Sequence, residues 1–206
     1  MTNKLKGSLL CGIWVCSSIF FISLSRNAFS ERADLTPSEI KMMEKARKRL
    51  ELDAHRTLSA DEKKKLSYLV KTMEDKKLQM VPRSDAIREL GEKVAHIDAL
   101  KPILRILEDV KEDEYIRYTA LTAISQIADK SVVPILLRFL EDPSSAIRQR
   151  AHTQLRKLSG CNWYFSFMDD VPKEERAESV KKWREWWAKN EKTFVYKRIC
   201  VLVETR

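Results

Sequence analysis

Residues 131–160 read SVVPILLRFLEDPSSAIRQRAHTQLRKLSG, two apolar runs of helical period with a polar turn between them. Val133, Leu136, Leu137 and Leu140 fall at i, i+3, i+4 and i+7, one stripe along an α-helix. With Ser131 as cap, Pro134 lies in the first turn, where its missing N–H costs nothing. Pro143 stops the helix, and Ser144 or Ser145 can cap the next. That second helix carries Ile147, Ala151, Leu155 and Leu158 on one face, and the small Ala151 allows close backbone approach.

The preceding segment says the same thing. Leu100, Ile103, Leu104 and Leu107 restate the first stripe thirty-three residues earlier, and Glu108-Asp109 restates Glu141-Asp142. Ile116, Ala120, Ile124 and Ile127 restate the second stripe thirty-one residues earlier, so the earlier turn is two residues longer. Pro102 stands one register away from Pro134 and is expected to kink its helix. The element Arg-x-x-Ala-x-x-x-[Leu/Ile] occurs at Arg117-Ala120-Ile124 and Arg148-Ala151-Leu155, and again at Arg83-Ala86-Leu90. The last copy is degenerate, since Gly91 follows Leu90 and the final apolar position is Lys93. A period of 31–34 residues with two helices per unit predicts an all-α fold, a short right-handed α-solenoid with helical caps.

The run VVPILLRFLEDPSSAIRQRAHTQLRKLSG resembles a HEAT repeat of the short bacterial type. Its early proline, the Asp in the turn, the Arg opening the second helix and the closing Leu-x-x-Leu-x-Gly carry the likeness, which spans about residues 83–160. The resemblance implies that Asp109 and Asp142 bind turn amides or the arginines, and that Arg117 and Arg148 form a ladder between repeats.

Covers are expected at both ends. Thr36-Pro37-Ser38-Glu39 and Ser59-x-x-Glu62 are capping boxes that open two helices, placing an N-terminal cap over residues 31–78 and the repeats over 79–160. Residues 161–206 form the other cover. There Ala177, Val180, Trp183 and Trp187 make a helical stripe with Trp186 at its edge. The aromatic turn and Trp-x-x-Trp-Trp helix are similar to a segment that follows HEAT-like repeats in exported bacterial proteins. The tail TFVYKRICVLVE alternates as a β-strand does.

Lys4 and Lys6 precede an apolar run at residues 8–25, and Ala28 and Ser30 are spaced for cleavage. Residues 1–30 therefore read as a signal peptide, or as an N-terminal membrane anchor through residues 8–25, and either places the remainder outside the cytoplasm, periplasmic or secreted. Loss of that segment takes the net charge from +9 to +6, because three bases and no acids leave. The remaining charges are interleaved, as in KMMEKARKRLELDAHR, which suits a solvated helix face better than a nucleic-acid track. Cys161 and Cys200 are an even pair in an oxidising compartment and can form a disulfide; two unpaired thiols are the alternative.

No catalytic constellation stands out. His55, His96 and His152 are isolated from metal-ligand spacings, and none is followed by Glu as in iron-holding HEAT-repeat hydroxylases. No cofactor is expected. His152 takes the place of Leu121 in the preceding repeat and reads as a packing residue. The expected function is a noncatalytic adaptor that binds a protein or peptide partner. Off the core stripe, Tyr118, Thr122, Gln149, Thr153 and Arg156 are its candidate contacts, and Trp186 is a sixth. The alternative is a DNA-binding protein resembling the HEAT-like alkylpurine DNA glycosylases, which the leader and the interleaved charges argue against.

Overall fold

The structure is a computed structural model that describes residues 37–194. Backbone contacts divide the chain into units at 1–42 and 43–206. Of the first, only the opening of helix α1 (Pro37–Ala54) is described; every later element belongs to the second. The leader, the tail strand and Cys200 lie outside the described residues.

Three helix pairs come after α1. The first helices are α2 (Ala60–Glu74), α4 (Ile97–Glu108) and α6 (Val132–Arg138), the last prolonged by a 3-10 turn at Phe139–Glu141. Their second helices are α3 (Met80–Glu89), α5 (Glu114–Ile124) and α7 (Ser145–Ser159). A final helix, α8 (Lys173–Asn190), packs on α6 as the next first helix would. Among the described residues there is no strand. Second helices lie side by side in the order α3, α5, α7, and each packs on its own first helix. This translation from pair to pair defines a solenoid.

The second-helix stripes and the first-helix stripe of α6 are buried where the pairs meet. In α4 the buried face is Ala99, Ile103, Ile106 and Leu107, and Leu100 and Leu104 of the expected stripe are only partly buried. Leu136, Ile116, Ala120, Ile124, Ile147, Ala151 and Leu155 are all at 0% exposure. Full burial of one such aliphatic side chain is worth about 1.5–3 kcal/mol. Ser144 caps α7 by accepting from Ile147 N–H, and Gly160 ends it in a left-handed conformation. The capping box of α2 is formed in full by Ser59 and Glu62.

The turns repeat as faithfully as the helices. Glu-Asp stands at 74–75, 108–109 and 141–142, closing each first helix. Each Asp accepts a hydrogen bond from the amide two residues on: Lys77 to Asp75 at 2.9 Å, Lys111 to Asp109 at 3.0 Å, Ser144 to Asp142 at 2.9 Å. Each Glu binds an arginine of the following first helix: Glu74 with Arg105, Glu108 with Arg138, Glu141 with Arg184 of α8. These exposed pairs form an outer seam.

The copy that looked degenerate is complete. After α3 the backbone passes through a π-helical turn, Leu90–Val94, which inserts one residue. That shift puts Val94, not Lys93, in the core position, and Val94 is buried. Gly91 makes the turn fit. A Cβ there would lie 2.6 Å from Ala123 Cα on α5, so only glycine allows this approach. Helix α2 packs on α3 as α4 packs on α5 and α6 on α7.

Candidate functional site

Three arginines hold the pairs together from inside. Arg83 donates from Nε to Met73 O at 2.9 Å and grips Glu112 with both terminal nitrogens at 2.9 and 2.7 Å. Arg117 donates from Nε to Leu107 O at 2.9 Å and closes its fork on Asp142. Arg148 donates from Nε to Phe167 O at 2.9 Å, from Nη1 to the carbonyls of Asp142 and Pro143, and pairs with Asp169. All three arginines are buried. The Arg83 fork holds the Glu112 carboxyl below the usual carboxylate range, and hydrogen bonding to Arg148 does the same for Asp169.

The ladder thus contains Arg117, Arg148 and Asp142, with Arg83 as a further rung. Asp109 is not an arginine receptor. It binds its turn amide and Lys76 at 2.7 Å, while Glu112 receives Arg83. The longer turn explains the exchange: counted back from the second helix, Glu112 stands five residues before Arg117 and Asp142 six before Arg148, whereas Asp109 stands eight before Arg117.

The C-terminal cover is an aromatic cluster. Trp183 is fully buried and donates from Nε1 to His152 Nδ1 at 3.1 Å. Phe167 lies 5.1 Å from the His152 ring, and Trp163 lies 4.7 Å from Trp183. Burial pushes His152 down to about 4, with the Arg156 charge adding to the effect. Trp186 packs edge-on against Trp183 and Phe194 and beside Trp187. Cys161 is half-buried at the start of this segment.

The six candidate contacts fall in three places. Tyr118 and Thr122 line an open groove of about 170 Å³ across the second helices. Gln149 is a joint, accepting from Phe167 N–H at 2.9 Å; Thr153 bonds back to Gln149 O within α7. Arg156 lies 4.1 Å over the Tyr164 ring, and Trp186 belongs to the aromatic cover.

The groove brings in residues that the sequence reading missed, among them Arg88 of α3, Tyr115 of α5 and Arg150 of α7. Their signal was present. Tyr115, Tyr118, Thr119, Thr122 and Gln126 are spaced by three, one, three and four, a second stripe on α5 that complements the core one. Arg150 lies 4.5 Å over the Tyr118 ring and donates from Nε to Thr122 Oγ1 at 2.9 Å. Among the described residues no three His, Cys, Asp or Glu side chains gather to hold a metal ion, and no helix is long and apolar enough to cross a membrane.

Paired helices stacked by translation, joined by buried arginine rungs and facing one side with their second helices, are the marks of an α-solenoid. Residues 61–158 match the family described as HEAT repeats, a span running from α2 through α7. This array belongs to the HEAT-repeat family. No curated protein matches the chain. Arrays of HEAT repeats commonly serve as protein-interaction scaffolds.

Proposed function

We propose that the chain is an exported, noncatalytic HEAT-repeat scaffold whose second-helix face docks a segment of a partner protein. The observation that carries this reading is the stripe Tyr115–Tyr118–Thr122. It lies opposite a fully apolar stripe on the same helix, yet opens into a groove shared with α3 and α7. Aromatic and hydroxyl side chains of this kind give contact area and hydrogen bonds at low entropic cost. Export rests on the basic start, apolar run and small residues of positions 1–30.

A photocrosslinking amino acid at Thr122 of the full chain, expressed in its host, is expected to capture a discrete partner; the same group at Arg105 on the first-helix side is not. Equal labelling from both positions overturns the docking face. Fusing residues 1–35 to alkaline phosphatase gives external activity if the export reading holds, and none if it fails.

A further inference from the structure

We infer that the groove receives an acidic segment of the partner, with Arg150 as the receptor for its carboxylate. This rests on the docking face proposed above and adds the chemistry of what docks there.

The arginines of the array show the pattern. Arg83, Arg88, Arg105, Arg117, Arg138, Arg148 and Arg184 each hold a carboxylate of this chain. Arg176 binds the backbone carbonyls of Met168 and Val171. Among the described residues from Arg83 onward, Arg150 and Arg156 are the arginines that bind neither an acid nor a backbone carbonyl. Both lie on α7, and each places its guanidinium carbon over a tyrosine ring, Tyr118 at 4.5 Å and Tyr164 at 4.1 Å.

Arg150 is the one in the groove. Its partners are neutral: the Tyr118 ring, Thr122 Oγ1, and the Gln154 amide oxygen when that amide is turned to face it at 3.0 Å. These contacts orient the guanidinium and leave its charge uncompensated while it is half-buried. A planar fork held in this way matches a carboxylate in shape as well as charge. Tyr115 and Thr119 supply hydroxyl groups along the same wall. Glu92, the acid in the groove lining, sits on the α3 side and sets the direction: the acidic residue of the segment goes at the α7 end.

A random linear peptide library displayed on phage and selected on the full chain tests this. The expected result is enrichment of peptides bearing Asp or Glu, whose binding is blocked by Thr122→Trp. Binding should weaken at least about tenfold on Arg150→Gln, the scale of one lost charge-assisted fork. Changing the peptide's own Glu to Gln should weaken it equally, and that arm needs no protein variant to fold. Neutral or basic peptides blocked by Thr122→Trp overturn the acidic inference and leave the docking face standing. Peptides indifferent to Thr122→Trp overturn both. Duplex DNA displacing the peptides from the groove overturns the inference in favour of nucleic acid.

Discussion

Arg117 and Asp142 are each about one-twentieth exposed, so each buried charge depends on the other for compensation. Removing one partner of such a buried pair costs roughly 3–5 kcal/mol, since the other is left without compensation. The Arg-x-x-Ala signature made these arginines legible, while Glu112 and Asp169 were not, because a variable turn hides which acid ends up beside the fork. His152 shows a different limit. Its alignment with Leu121 revealed packing, yet its bond to Trp183 depends on a segment folding back from thirty-one residues away. Its titration has a stability consequence. The unfolded imidazole protonates near 6.5 and the folded one near 4, so between those values the unfolded chain binds more protons and stability falls as pH drops. The loss across the window is about 3 kcal/mol. His152→Leu, which restores the residue of the preceding repeat, is expected to flatten this part of a melting-temperature profile; an unchanged slope refutes the assignment.

At the scale of elements, the second-helix stripes and the Ser59 and Ser144 caps could be read directly, because period and capping chemistry are local. Ser131, by contrast, makes no side-chain cap bond, and the caps His96 and Asp113 carry no such plain signal. The π-turn at Leu90–Val94 could not be read either, since nothing in LGEKV announces an inserted residue. Its necessity comes from α5 pressing against Gly91. A methyl at Gly91 would meet the Ala123 carbonyl oxygen at 2.8 Å, backbone that cannot swing aside. Gly91→Ala should therefore destabilise the fold by roughly 1–3 kcal/mol through overpacking, measured as a lower urea midpoint. A neutral result would show that the turn relaxes at no cost.

For the whole molecule, the translation of pairs followed from a period of 31–34 residues, but the groove did not, because it arises between helices rather than along one. The aromatic cover is the part on which the array depends most. Ending the chain after Gly160 removes Phe167 and Trp183, uncovers His152, and leaves Arg148 without its acid. Such a truncation should lose at least about 3–5 kcal/mol, the scale of removing one buried Phe or Trp side chain, and should bind a hydrophobic dye. Full stability without residues 161–206 would show that the repeats close their own end.

Arg148 takes the carboxylate of Asp169 from the cover as Arg117 takes that of Asp142 from the following turn, and Arg184 takes Glu141 as Arg138 takes Glu108. The terminal cover thus presents the same fittings as an ordinary unit. Duplication of one helix pair within the gene would add a module whose connectors already find their mates, lengthening the protein and its groove without redesign of either terminus.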